Sequence, residues 1–216
     1  METMDYIIAV LETLLLTGAS TLVAYIFGIP LGIVLYGTSE GGIFQNKPIN
    51  QVVGFIVNIF RSVPFIILLV MVQPVAKFLV GTKIGNTAFI IYLIIAATPF
   101  VARMIESSLK EVDGGMIEAA QSMGSSNFQI ITKVLIPEAK PSLLVGAAIA
   151  LTTILGYTPM AYLVSGGGLG AIAIRYGLYR FQPVIMYIAS VLLIIIVQVI
   201  QESIMFVSKK TDKRIK

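Results

Sequence analysis

Long apolar runs separated by short polar stretches dominate the 216-residue chain. A membrane-crossing helix needs about 20 mostly apolar residues, and the pattern predicts five such spans. They lie at about 13–36, within 49–80, and at about 86–102, 142–164 and 183–207. The second stretch is longer than one crossing needs, and Arg61 and Lys77 interrupt it. The pattern therefore predicts an all-α membrane protein with five transmembrane helices, in a single domain over 1–216.

Composition supports this prediction and excludes several kinds of chemistry. Hydrophobic residues make up 57% of the chain and charged residues 12%, with a mean hydropathy of +0.93, whereas soluble domains carry about 25% charged residues. The chain has no cysteine and no histidine. Disulfides, zinc fingers and a Ser-His-Asp triad are therefore excluded. We expect no catalytic residue and no metal site, and an intramembrane enzyme fits poorly.

The basic residues predict the orientation, because Lys and Arg are enriched in cytoplasmic segments of membrane proteins. With the N-terminus outside and the C-terminus in the cytoplasm, the inner segments hold ten basic residues and the outer segments four, with Arg61 unassigned. Five of the 15 basic residues occupy the last eight positions. A basic tail after an apolar run is typical of a cytoplasmic membrane flank, so we expect no nucleic-acid partner.

Four residues in or near the spans are candidates for a translocation pathway. A charged residue at the bilayer centre costs about 2.5–3.5 kcal/mol, so Arg61 is either a pathway residue or a snorkelling residue near the inner interface. Methionine adapts its shape to fill gaps, so Met160 is either a gate or an ordinary core residue. Ser62 and Tyr157 adjoin these positions and complete the candidate set.

Two pairs of residues carry predictions about packing. Gly28 and Gly32 form a small-xxx-small pair in the first span, which is typical of a close helix contact. Arg103 and Glu106 lie one helical turn apart, and we expect a simple ion pair on the surface.

The longest polar stretch lies between the third and fourth spans and is cytoplasmic in this topology. Its pattern predicts two short helices, each with apolar residues on one face: Met116, Ala119, Ala120 and Met123 on the first, and Phe128, Ile131, Val134 and Leu135 on the second. Gly124 stands where a helix commonly ends in a left-handed residue. Ser126 and Gln129 form a capping-box pattern, and Pro137 is expected to end the second helix. Such a pair suits either docking into a groove of a soluble partner or packing against its own bundle.

This loop resembles the EAA motif of ABC-importer permeases. Glu118-Ala119-Ala120 is followed after three residues by Gly124 and, nine residues later, by Val134-x-Ile136-Pro137. The family pattern ends in Ile-x-Leu-Pro, so Val134 and Ile136 are conservative departures. Residues 58–65, 98–104 and 166–170 are similar to the corresponding segments of the methionine-importer permease subfamily, and the similarity runs from the first span to the fifth.

The resemblance implies a type I ABC-importer permease fold in a prokaryotic cell membrane, as a multi-pass protein. The implied partners are a second copy of the chain, ABC ATPase subunits at the cytoplasmic face, an extracytoplasmic substrate-binding protein or lipoprotein, and the lipid bilayer. The chain has no Gly-x-x-x-x-Gly-Lys-Ser/Thr loop with which to cradle nucleotide phosphates. ATP and Mg²⁺ would therefore bind the partner ATPase, and this chain would bind no cofactor. The glycine-rich run at 166–170 is interpreted as a flexible outer turn.

The resemblance also assigns roles within the cytoplasmic loop at about 106–140. Glu118 and Gly124 are the implied coupling residues, while Ala119, Ala120 and Pro137 shape the loop helices. On the residues alone, Glu118 could instead serve only as a favourable charge near a helix N-terminus.

Methionine import by alternating access is the implied function. A permease for another amino acid or small solute is the first alternative. An ATP-independent carrier is the second, but such carriers often place ionisable groups inside their spans, and the first, third and fourth spans lack them.

Overall fold

The computed structural model describes residues 3–212, so Lys213, Arg214 and Lys216 of the predicted basic tail lie outside the described residues. Within that range the structure is helical and contains no strand. The α-helices are α1 (Thr3–Thr38), α2 (Lys47–Ser62), α3 (Phe65–Met71), α4 (Gln73–Val80), α5 (Gly85–Lys110), α6 (Gly114–Ser122), α7 (Asn127–Ile130), α8 (Ile136–Tyr157), α9 (Leu169–Ile172) and α10 (Pro183–Thr211). A π-helical turn joins α7 to α8, a 3-10 helix follows α8, and a second π-helical turn follows α9; these occupy Ile131–Leu135, Thr158–Val164 and Ala173–Leu178.

Four helical segments among residues 3–212 are long and apolar enough to cross a membrane. They are Thr3–Thr38, Gly85–Lys110, Asn127–Val164 and Pro183–Thr211, and they contain the first, third, fourth and fifth predicted spans. The prediction of an all-α chain with several spans is confirmed.

The second predicted span differs from a single straight helix. Taken together, α2 and α3 are long and apolar enough to cross a membrane, but the chain bends by 107° between them. Pro64 explains the break, because proline lacks the backbone N–H that a continuous helix needs and restricts the preceding residue. Its own backbone is extended (φ −55°, ψ 136°). Arg61 therefore lies at the end of a helix beside a sharp bend.

Pro137 does not end a helix, and that prediction was wrong. The helix that starts at Asn127 runs without interruption into α8 and the following 3-10 helix. The turn Ile131–Leu135 just before the proline is π-helical. A π-helical turn is wider and changes the pattern of backbone hydrogen bonds at the point where proline supplies no N–H donor. The helix therefore continues through Pro137.

The chain divides into two compact units. The described residues of the first unit are 3–24, 63–97 and 149–202. One cluster of its buried core residues consists of Ala9, Leu169, Ala173 and Ala189. Its largest fully buried side chains include Phe89 and Tyr92.

The second unit contains residues 25–62, 98–148 and 203–212 among those described. The predicted close contact at Gly28 and Gly32 is present here, between α1 and α5. A β-carbon at Gly28 would lie 2.6 Å from a side-chain carbon of Val101, and one at Gly32 would lie 2.7 Å from Cβ of Ile105. Only glycine permits this approach of the two helices, as small residues do between helices in membranes.

The predicted surface pair in this unit is instead a buried network. Glu106 is only 5% exposed, and it accepts hydrogen bonds from Arg103 (2.6 Å) and from Lys110 (2.7 Å). Arg103 also donates to the backbone carbonyl of Gly54 and to Oδ1 of Asn58 in α2. Spacing along α5 predicts the pair, but it reveals neither the burial of Glu106 nor the hydrogen bonds from Arg103 to α2.

Candidate functional site

The loop between α5 and the fourth span begins with a well-terminated helix, α6. Asp113 caps its N-terminus by accepting a hydrogen bond from the backbone N–H of Gly115 at 2.7 Å. At the other end, Gly124 is left-handed (φ +77°). The N–H groups of Gly124 and Ser125 bond back to the carbonyls of Gln121 and Ala120, which is the Schellman arrangement. The predicted helix end at Gly124 is confirmed.

The second helix of the loop starts with the predicted capping box. The hydroxyl of Ser126 accepts from the backbone N–H of Gln129, and the side chain of Gln129 accepts from the backbone N–H of Ser126 at 2.8 Å. Two donors at the helix start are thereby satisfied. Caps at both ends fix the turn between α6 and α7, so the loop has a defined shape.

One face of this helical pair is buried and the other is exposed. Ala120, Ile130 and Leu135 are buried, so part of the loop packs against its own unit. Met123 is 80% exposed and Phe128 is 75% exposed. Two large apolar side chains on a rigid, exposed helical pair form a surface suited to a groove on a partner.

The five loop residues to which the resemblance assigns roles differ in their exposure. Glu118, Ala119, Gly124 and Pro137 are exposed, whereas Ala120 is buried. Glu118 is not in the first turn of α6, which contains no acidic residue, and Asp113 caps that helix. A charge near a helix end acts mainly within the first turn. The alternative role of Glu118 as a helix-terminus charge is therefore not supported.

Arg61 and Ser62 occupy the last two positions of α2, directly before the 107° bend. Both side chains are exposed on this chain. The Ser62 hydroxyl donates to the carbonyl of Asn58 at 2.8 Å, which is the common bond of a helical serine to its own preceding turn.

Tyr157 and Met160 lie at the junction of α8 and the 3-10 helix, and both are half-buried. The Tyr157 ring stacks on Phe65, with centroids 4.5 Å apart and planes inclined by 12°. Phe65 in turn meets Phe89 edge to face. Met160 follows Pro159, where Gly170 packs so closely that a β-carbon at position 170 would lie 2.6 Å from the proline nitrogen.

A polar cluster near the start of α1 escaped the sequence reasoning. Glu12 accepts hydrogen bonds from the side-chain amide of Asn86 (3.0 Å) and from the backbone N–H of Gly168 (2.8 Å). Asn86 accepts from the N–H of Gly167 at 2.7 Å, and Thr13 accepts from the N–H of Leu169 at 2.9 Å. The N–H groups of Gly167, Gly168 and Leu169 are therefore each bonded by a side chain of α1 or α5, which does not favour the interpretation of this run as a flexible turn.

A cavity of about 450 Å³ adjoins this cluster. Its lining includes Asp5, Glu12, Asn86, Gly167 and Arg175, and all of these belong to the first unit. The signal in the sequence was a carboxylate at the edge of the first apolar run, at position 12. Among residues 3–212 no group of three or more acidic side chains is arranged to hold a metal ion.

Comparison with known proteins identifies the family. The model of the family described as "binding-protein-dependent transport system inner membrane component" matches residues 28–215. A probable D-methionine transport system permease protein of Vibrio cholerae is 50% identical over 190 residues, which cover 88% of this chain and 84% of the relative. A methionine import system permease protein of Bacillus subtilis is 42% identical over 181 residues, or 84% and 82% of the two chains.

Solved structures of similar chains point to the same kind of transport protein. A chain of the MetNI methionine ABC transporter, solved in inward-facing conformations, superposes with a TM-score of 0.96 at 41% identity and covers 99% of this chain and all of that one. A chain of an amino acid ABC transporter has a TM-score of 0.78 at 21% identity, over 96% and 94% of the chains, and shares the fold. The expected ABC-importer permease fold is confirmed, and the chain belongs to the family of binding-protein-dependent transport system inner membrane components.

Proposed function

We propose that this chain is the permease subunit of an ATP-driven importer of methionine. The observation that carries the proposal is a capped, exposed helical pair bearing the EAA motif, on a chain 41–50% identical to methionine permeases over most of its length. The cargo follows from those relatives, which are described as methionine transport proteins. Selectivity among related amino acids would reside mainly in an extracytoplasmic binding protein.

The proposed assembly contains two copies of this chain, with an ABC ATPase subunit on each cytoplasmic loop. The relative of known structure is part of the MetNI ABC transporter. ATP and Mg²⁺ would bind the ATPase, and this chain would bind neither. The orientation with the N-terminus outside and the C-terminus in the cytoplasm rests on the distribution of Lys and Arg, and it places α6 and α7 where a cytoplasmic ATPase can reach them.

The mechanism proposed is alternating access driven through this loop. Met123 and Phe128 would enter a cleft of the ATPase, and Glu118 would contribute a charged contact at its rim. Gly124 would keep the turn between the two helices tight. Because caps fix both helix ends, a displacement of the loop would pass into the long helix that follows it. ATP can bias the transporter only through a difference in its binding between the two states.

The pathway is proposed to involve the bend in the second span and the change of helix type in the fourth. Arg61 and Ser62 stand at the bend after α2, and Tyr157 and Met160 stand where α8 gives way to a 3-10 helix. Departures from α-helical backbone at membrane depth are tolerated where the backbone lines a cavity or is buried in protein.

The test is purification of the tagged chain from its native host in mild detergent, with mass spectrometry of the proteins that accompany it. The Glu118→Lys variant runs beside the wild type. The matched control is Glu40→Lys, because Glu40 is also exposed, lies outside the EAA motif and is cytoplasmic in the proposed topology.

We expect a nucleotide-binding subunit to accompany the wild type and the Glu40→Lys control, and to be lost from Glu118→Lys. Retention of that subunit by Glu118→Lys would remove Glu118 from the interface. If no nucleotide-binding subunit accompanies any of the three, the importer proposal fails, and an ATP-independent carrier becomes the better account.

A further inference from the structure

The helical segment Leu169–Leu178 lacks a cap of its own. The residue before it is Gly168, which has no side chain to accept a hydrogen bond, and its φ is positive (+95°). The first N–H groups of a helix have no partner within the helix. Here the three N–H groups that lead into the helix, those of Gly167, Gly168 and Leu169, are bonded by side chains from far along the chain, in α1 and α5.

Glu12 is at the centre of this remote cap. One carboxylate oxygen accepts from the N–H of Gly168, and the other accepts from the amide of Asn86, which itself accepts from the N–H of Gly167. Hydrogen bonds to an ionised group are about twice as strong as neutral ones. Glu12 therefore holds the loop both directly and through the orientation of Asn86.

The capped loop is linked by close packing to Pro159, at the start of the 3-10 helix in the fourth span. Gly170, two residues beyond the cap, lies against the backbone of Pro159 without room for a β-carbon. Arg175 on the same helical segment donates to the carbonyl of Gly166 at 3.1 Å, which ties the segment to its own entry loop. A shift of the loop would therefore displace Pro159 and its neighbour Met160.

We infer that Glu12 is a positioning residue for transport: with Asn86, it caps the segment Leu169–Leu178 and so fixes Pro159 and Met160 at the point where α8 passes into a 3-10 helix. The inference deepens the proposed function and rests on it, because this point belongs to the proposed pathway. No contact between Glu12 and the cargo is required.

The first test is amide hydrogen exchange in lipid nanodiscs, measured by mass spectrometry on the complex of permease and ATPase. In Glu12→Ala the peptide containing residues 165–178 should exchange at least about tenfold faster, because the loss of a charged acceptor frees its N–H groups. Peptides of α6, which belongs to the second unit, should be unchanged. Unchanged exchange at 165–178, or faster exchange throughout the chain, would overturn the inference.

A double substitution separates this geometry from general destabilisation. In Glu12→Gln alone, if each amide oxygen keeps its bond from the glycine N–H, the two NH2 groups face each other with no acceptor between them. Asn86→Asp alone leaves two carboxylates facing each other. In the combined Glu12→Gln, Asn86→Asp variant, the amide at position 12 can donate to the carboxylate at position 86, and each position keeps an oxygen for its glycine N–H. The double variant should regain slow exchange at 165–178. If it is as fast as the single variants, the proposed hydrogen-bond pattern is wrong.

The second readout is the methionine taken up per ATP hydrolysed in proteoliposomes that contain the ATPase and the binding protein. We expect Glu12→Ala to lower this ratio at least about fivefold while ATP hydrolysis continues, and the double variant to restore it. A ratio equal to that of the wild type would overturn the positioning role. If the wild type itself imports no methionine, the proposed cargo fails instead, and the exchange experiment still decides whether Glu12 caps the loop.

Discussion

Arg103 donates a 2.6 Å hydrogen bond to Glu106 one turn later in α5, and the acceptor is almost completely buried. Lys110 bonds the second carboxylate oxygen from the other side. Since Arg103 also reaches α2 through Gly54 and Asn58, this cluster joins two helices of the second unit. It ends at Lys110, directly before the turn that leads into the loop with the EAA motif, so it fixes the base of that loop.

Removing the shared acceptor should be costly. Glu106→Ala leaves the Arg103 guanidinium partly buried without its anionic partner, and we expect a loss of about 3 kcal/mol in the free energy of unfolding. Lys110→Ala removes a head group that is half exposed, with a side-chain exposure of 53%, and it should cost less than about 1 kcal/mol. Thermal unfolding in detergent would measure both. Equal unfolding midpoints for the two variants would show that the network stabilises the fold no more than a surface ion pair does.

Because α1 and α5 are in close contact at Gly32, we expect that even one added methyl group there destabilises the fold. Gly32→Ala would place its β-carbon 2.7 Å from Ile105 and 2.8 Å from a backbone oxygen, and overpacking of this kind costs roughly 1–3 kcal/mol. Gly18→Ala is the control on the same helix, because no atom lies within 4 Å of its β-carbon position. A lowered unfolding midpoint is expected for Gly32→Ala alone, and equal midpoints would argue against the close contact.

We expect the turn between α6 and α7 to require glycine at position 124, because this residue has a positive φ. At φ +77° a β-branched residue is strained by about 1–2 kcal/mol, so Gly124→Val should loosen the turn and weaken capture of the ATPase. Gly124→Asn should be milder, since asparagine tolerates this conformation best after glycine. The measurement is ATPase binding to each purified permease variant, with Gly114→Ala in α6 as control. Equal binding by the valine and asparagine variants would refute a conformational role.

The absence of cysteine from the sequence allows the proposed topology to be tested with single introduced thiols. Ser125→Cys in the α6–α7 turn should react with a membrane-impermeant maleimide only after the membrane is opened. Thr82→Cys, in the predicted outer loop between α4 and α5, should react in intact cells. The reverse pattern would invert the orientation and would place the EAA loop away from any cytoplasmic ATPase.

Local signals in the sequence predict much of this molecule. The termination of α6 at Gly124, the capping box at Ser126 and the glycine contact of α1 each depend on a few residues whose chemistry is sufficient. The bend at Pro64 and the continued helix through Pro137 show the limit of that approach. Proline removes a donor at both positions, and the surrounding backbone decides between a break and a π-helical turn.

Partners distant along the chain were the other limit. The bond from Gly168 to Glu12 joins residues 156 positions apart, and that from Arg103 to Asn58 joins residues 45 apart. No periodicity or motif connects such positions. A glycine run therefore looks flexible in the sequence although remote side chains bond it, and an ion pair looks like a surface pair although its carboxylate is buried and its arginine bonds a neighbouring helix.

The most direct measurement of the central claim is methionine uptake into proteoliposomes that contain this chain alone or together with its ATPase and binding protein. The account predicts uptake only in the complete system with ATP, and its loss in the Glu118→Lys variant while Glu40→Lys remains active. Uptake by the chain alone without ATP, or full activity of the Glu118→Lys variant, would contradict it.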